Sequence, residues 1–81
     1  MSEAQILDTF CTVLRTIAPD ADPRAIPPDA NLRESLEIDS FDFLNLLIGL
    51  HQRLGVEIPE SDYGQLNSVG GLTRYLAARV P

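Results

Sequence analysis

Lysine is absent from this 81-residue chain; its six cations are all arginines, set against twelve acids. The resulting charge of −6 repels a phosphate backbone and argues against nucleic acid as a partner. Cysteine occurs once, so no intramolecular disulfide can form. Cys11 sits beside Phe10 and Leu14 in an apolar pattern, where a small buried hydrophobe is expected. Histidine also occurs once, and one His, one Cys and scattered acids show no metal-ligand spacing. Gly70-Gly71 lacks the context of a phosphate-binding loop. No apolar run is long enough to cross a membrane, and Ser2 to Gln5 is polar where a signal sequence would turn apolar. A cytoplasmic protein is therefore expected. No segment alternates with strand period, and no repeat is visible.

What is present bounds the answer further. At 81 residues the chain is expected to form one domain over 1–81, of a size at which a single core is only marginally stable. The apolar fraction of 44% and charged fraction of 22% are ordinary for a globular protein. A deep catalytic cleft is hard to build at this size, and a module that works by being recognised fits better. Seven acids fall between Glu34 and Asp62 (Glu34, Glu37, Asp39, Asp42, Glu57, Glu60, Asp62), with Arg53 as the only cation among them. Charge concentrated in one stretch reads as a docking surface for basic partners, against the plainer reading of a solvated acidic face.

The periodicity predicts helices joined by loops. Ser2 and Gln5 form a capping-box pattern ahead of Ile6, Phe10, Val13, Leu14 and Ile17, with Pro19 as the stop. Residues 19 to 38 hold Pro19, Pro23, Pro27 and Pro28, so a long ordered loop is expected, pinned by Ile26, Leu32 and Leu36, with a short helical turn near Leu32 to Leu36. A second helix should start at Ser40 with Asp39 as N-cap and Asp42 in its first turn, and end at Gly55. On it, Phe41, Leu44, Leu47, Ile48 and His51 are assigned to one face, extended by Leu50 and Leu54. Phe43 and Leu46 are assigned toward the other, and Asn45, Gly49, Gln52 and Arg53 outward. Val56 and Ile58 should tuck inward before Pro59; Ser61 should cap a short turn to Leu66, and Ser68 a last helix carrying Val69, Leu72, Tyr75, Leu76 and Val80. The expected fold is all-α: a small four-helix bundle, three main helices plus one short one, with a long first loop.

A serine at the exposed start of a helix with acids on both sides does not by itself identify a function. Catalysis by a Ser40–His51 dyad fails on geometry, because eleven residues of helix separate the two by about 16 Å. Three blocks carry more. Leu36-Glu37-Ile38-Asp39-Ser40-Phe41-Asp42 resembles the modification site of acyl carrier proteins. Gly55-Val56-Glu57-Ile58-Pro59 is similar to the segment after their second helix, and Asn67-Ser68-Val69-Gly70-Gly71-Leu72 to the start of their last. The blocks occur in the family's order and at its separations.

The resemblance implies that Ser40 is esterified by 4'-phosphopantetheine, moved from coenzyme A by a phosphopantetheinyl transferase. A helix N-terminus offers exposure for the hydroxyl and amide donors for the phosphate. Asp39, Phe41, Asp42, Glu57 and Glu60 are then candidates for recognition by the transferase and by partner enzymes, with Asp39 near the transferase's metal. The arm's thiol would carry an acyl group as a thioester, and Leu44, Leu50, Ile58, Leu66 and Leu72 would line a sheltering pocket. Their plainer role is core packing. The implied partners are acyl-loading, condensing and acyltransferase enzymes, and a monomer is expected. Two departures stand out. Glu37 takes a position where the family often has Gly, which should change the loop shape, and Phe41 replaces the usual Leu after the serine. The second helix is also poor in acids where carriers of fatty-acid synthesis are rich in Glu, which points to a specialised lipid or polyketide-type pathway. An aminoacyl or peptidyl carrier, or an unmodified interaction module of the same fold, are the alternatives.

Overall fold

Ser2 fixes where the first helix begins. In the computed structural model, which describes residues 2–80, its hydroxyl accepts from the Gln5 amide at 3.2 Å while Gln5 Oε1 accepts from the Ser2 amide at 2.8 Å. This reciprocal pair satisfies two of the amides that a helix start leaves without partners. Helix α1 (Glu3–Leu14) buries Ile6, Phe10, Cys11, Val13 and Leu14. It ends before the expected Ile17, because the chain tightens there: Thr16 and Ile17 amides bond three residues back, to Val13 and Leu14. Cys11 is buried, with Arg24 Nη1 3.0 Å from its sulfur.

The proline-rich stretch is ordered by two short pieces. A 3₁₀ turn (Pro23–Ala25) starts under Asp22, whose carboxylate accepts from the Arg24 amide at 3.0 Å. Helix α2 (Leu32–Leu36) starts under Asn31, whose side-chain oxygen accepts from the Glu34 amide at 3.0 Å. Leu32 is fully buried, and Ile26 and Leu36 pack on the core, as the sequence pattern implies.

Helix α3 (Ser40–Leu54) is capped by Asp39 and closed by Gly55 at φ 69. Its facing differs from the expectation. Phe43, Leu46, Leu47 and Leu50 are buried, whereas Phe41, Leu44 and Ile48 remain 69%, 38% and 44% exposed. The register is set where α3 crosses α1. A Cβ on Gly49 would lie 2.6 Å from Val13 Cγ1, so the missing side chain lets Val13 seat there. Gly49 therefore belongs to the packing seam, not to the outward face. Turning Gly49 toward α1 carries Leu46 and Leu50 inward and Phe41, Leu44 and Ile48 out.

A 3₁₀ helix (Glu60–Leu66) follows Pro59 and has no side-chain cap; Ser61 lies inside it rather than at its start. The turn begins two residues earlier than a Ser61 cap would give, with the Asp62 amide donating to the Pro59 carbonyl at 2.9 Å. Helix α4 (Val69–Ala77) is capped by Ser68, which accepts from the Gly71 amide at 3.0 Å. A Cβ at Gly71 would come within 2.5 Å of the Gln65 carbonyl oxygen, so glycine is required for α4 to meet the preceding 3₁₀ turn. Helix α1 packs against both α3 and α4, and the 3₁₀ helix Glu60–Leu66 packs chiefly on α4. Tyr75 ties these last two together. Its hydroxyl donates to Asp62 Oδ2 at 2.6 Å, and the Arg79 guanidinium lies 3.5 Å from its ring centroid. Burial, reinforced by this hydrogen bond, pushes the Tyr75 phenol above its ordinary value, so it stays a donor at neutral pH. The fold is all-α: three main helices, the short α2, and one continuous core through Phe10, Leu46, Leu66 and Leu76.

Candidate functional site

Ser40 is the first residue of α3 and is exposed. Two devices hold it there. Asp39 Oδ1 accepts from the Asp42 amide at 2.9 Å, so the helix start is fixed from the residue just before the serine. Upstream, α2 ends in a pair of closing bonds: the Ile38 amide donates to the Arg33 carbonyl at 3.1 Å and the Glu37 amide to Glu34 at 3.3 Å. Glu37 adopts φ 56 and ψ 38, the left-handed conformation that glycine takes without cost. The loop thus has a glycine-type backbone at Glu37, with a carboxylate added. Ser40 Oγ makes no hydrogen bond among the described residues, whereas the hydroxyls of Ser2 and Ser68 are spent on helix caps.

Ser40 lines an open groove of about 710 Å³, together with Asn31, Arg33, Phe41, Phe43, Leu44, Glu60, Tyr63, Gly64 and Asn67. A second groove of about 390 Å³, lined by Leu47, Ile48, His51, Glu57, Ile58, Pro59 and Tyr63, shares Tyr63 with the first. Together they follow the seam between α3 and the 3₁₀ helix Glu60–Leu66. Asp39 and Asp42 flank the serine, Glu60 borders its groove, and Glu57 borders the second.

The five apolar positions proposed from sequence do not share one cavity. Leu44 lines the groove at Ser40 and Ile58 the second, whereas Leu50, Leu66 and Leu72 are fully buried in the core. His51 is remote from the serine and otherwise engaged. Its Nδ1 lies 2.7 Å from the Val56 carbonyl, which can only accept, so His51 donates and ties down the segment after α3. Among the described residues, no group of three or more His, Cys, Asp or Glu is placed to hold a metal ion, and no helix is long and apolar enough to cross a membrane.

Sequence reasoning missed Asn31, Arg33, Tyr63 and Gly64 as neighbours of the serine. Asn31 carried a cap signal, an Asn just before an apolar helical start. Arg33 and Tyr63 carried none, because only the folding of α2 and of the Glu60–Leu66 turn brings them to α3.

A family model described as the phosphopantetheine attachment site matches residues 4–76. An acyl carrier protein of Thermosynechococcus vestitus is 29% identical over 80 residues, 99% of this chain and 98% of that protein. One from Streptomyces coelicolor is 30% identical over 78 residues, 96% of this chain and 85% of that protein. One from Rubrobacter xylanophilus is 33% identical over 55 residues, 68% of each.

Proposed function

The chain belongs to the acyl carrier protein family, whose prosthetic group is a covalent 4'-phosphopantetheine, and from that premise we propose that Ser40 is the residue that bears it. The observation that carries this reading is the exposed hydroxyl at the first position of α3, without a hydrogen bond among the described residues, held by the Asp39 cap and opening onto a groove. The residues fit the group. The hydroxyl is free to be esterified, and the groove offers room beside it. When bound, the arm supplies a thiol that holds an acyl group as a thioester. The chain's own residues present that arm: Asp39 fixes the helix start, and Asp39 and Asp42 offer carboxylates to a phosphopantetheinyl transferase. Glu57 and Glu60 extend the acidic rim toward partner enzymes. The protein is on this reading a carrier and not a catalyst.

The outward face of α3 supports a specialised pathway of lipid or polyketide type rather than general fatty-acid synthesis. Phe41, Leu44 and Ile48 are exposed there, and Asp42 is the only acid of the helix. Docking on such a face draws on apolar contact at its centre and on charge only at its rim. Ile58 and Leu44 border the seam along which a carried chain would lie, and Leu50, Leu66 and Leu72 would line its deeper end only after that seam separates.

The test is intact mass after incubation with coenzyme A, Mg²⁺ and a broad-specificity phosphopantetheinyl transferase. The wild type should gain one phosphopantetheine and Ser40→Ala none. No gain by a folded wild type with several transferases would leave an unmodified interaction module. Equal use of the loaded chain and of a standard carrier by a general fatty-acid ketosynthase would overturn the pathway reading alone.

A further inference from the structure

The surface around Ser40 carries charge of both signs, and its cation is the unusual part. Glu34, Glu37, Asp39, Asp42 and Glu60 lie near the serine in sequence or border its groove, and Arg33 is the only cation lining that groove. Arg33 is exposed, and its guanidinium forms no ion pair or side-chain hydrogen bond among the described residues. Three other arginines are spent: Arg24 pairs with Asp8, Arg79 packs on the Tyr75 ring, and Arg74 Nε donates to the Gly70 carbonyl at 3.2 Å. The end of α2 explains why Arg33 is not. Glu37 follows it by four residues, the spacing at which opposite charges pair along a helix. Yet Glu37 stands at φ 56 and ψ 38, beyond the last helical residue, so its carboxylate leaves the helical row that Arg33 occupies. Phe41 is exposed on the same groove, across from α2 on α3. Arginine and aromatic side chains are the ones that most often anchor protein interfaces.

Building on the reading of a specialised pathway, we propose that Arg33 is the residue by which this carrier discriminates between partner enzymes. It fits a partner that sets a carboxylate opposite α2, beside an apolar socket for Phe41. It turns away the basic faces suited to Glu-rich carriers. Specificity is a difference of affinities, and a like charge at one point of contact rejects the wrong partner without weakening the right one. A basic face approaching Ser40 is drawn in by Asp39, Asp42 and Glu60, then meets Arg33 at the edge of the groove. A carboxylate at that point instead gains a charge-assisted hydrogen bond from the guanidinium. The left-handed turn at Glu37 has a part in this, because it leaves the arginine unneutralised and available to a partner.

The experiment uses the full chain, loaded with an acyl-phosphopantetheine from acyl-coenzyme A by a phosphopantetheinyl transferase. Intact mass establishes the load before any rate is read, so failure to load tells against Ser40 alone. The probe is a general fatty-acid ketosynthase, with the loaded chain as its varied substrate. Its KM should fall about threefold in Arg33→Ala and about tenfold in Arg33→Glu, with kcat unchanged, because a like-charge contact is removed and then reversed. At about 1 M salt, where the Debye length is about 3 Å, wild type and variants should converge. Arg74→Glu makes the same change of charge on α4, away from the groove, and should move KM far less. Arg33 is exposed and without a side-chain partner among the described residues, so the variants should unfold at the wild-type urea concentration. KM values indistinguishable from wild type in both Arg33 variants would overturn the proposal. An equal fall in Arg74→Glu would overturn it too, by assigning the effect to net charge. Use of the wild type as good as that of a standard carrier would defeat the pathway reading, and the part of Arg33 would still be decided by whether its variants lower KM.

Discussion

The two faces of α3 are made of the same kind of residue and do different things. Its inward face carries Phe43, Leu46, Leu47 and Leu50, all buried against the bundle; its outward face carries Phe41, Leu44 and Ile48, left in water beside Ser40. Each fully buried leucine contributes roughly 1.5–3 kcal/mol to the core. The outward three contribute little to folding and form an apolar ridge along the two grooves. Hydropathy therefore does not say which face of an apolar helix is structural. Steric fit decides it, here through Gly49 against Val13.

The largest effect is expected at Leu46, which is fully buried. Leu46→Ala should cost about 2–5 kcal/mol in a urea titration, enough to leave so small a domain close to unfolded. A cost below about 1 kcal/mol would mean that the inward face is not the one described. Next comes Gly49→Val, which drives a branched side chain into Val13 and should cost about 1–3 kcal/mol. If that substitution is tolerated without loss, the α1–α3 seam does not set the register of α3. Glu37→Gly works in the opposite direction. Releasing a non-glycine residue from a left-handed conformation should stabilise the chain by roughly 0.5–1 kcal/mol, after allowing for the extra freedom of glycine when unfolded. The same change tests whether the Glu37 carboxylate matters to loading, read as the transferase rate. The smallest effect on stability belongs to Phe41→Ala, which should stay within about 0.5 kcal/mol of wild type because the ring is 69% exposed. Its effect should appear instead in acyl transfer to the cognate partner, where loss of an aromatic anchor slows turnover at low carrier concentration about tenfold or more. Equal turnover by Phe41→Ala and wild type would leave the outward ridge without a role.

Much of this was legible in the sequence, and the reasons differ from element to element. The starts of α1, α3 and α4 could be read because Ser2, Asp39 and Ser68 each satisfy helix amides through a local side-chain bond, which needs no knowledge of the fold. The end of α3 could be read from Gly55 for the same reason. The facing of α3 could not, because Phe41, Leu44 and Ile48 are as apolar as Phe43, Leu46 and Leu50, and only the α1 contact at Gly49 tells them apart. The Glu60–Leu66 turn is legible, but Ser61 is not its cap, because the turn starts from Pro59, two residues earlier. At the site, Ser40 and its flanking acids were legible as a local motif. Arg33, Tyr63 and Asn67 reach the serine only through tertiary packing, and no spacing in the chain announces them as its neighbours.

The central claim is that the outward start of α3 presents a phosphopantetheine on Ser40. It is tested most directly by fragment-mass mapping of the enzymatically loaded wild type. The added phosphopantetheine should appear on Ser40 and on no other serine. Its appearance on Ser35 or Ser61, the other serines whose hydroxyls are not committed to caps, would rule out Ser40 as the attachment site.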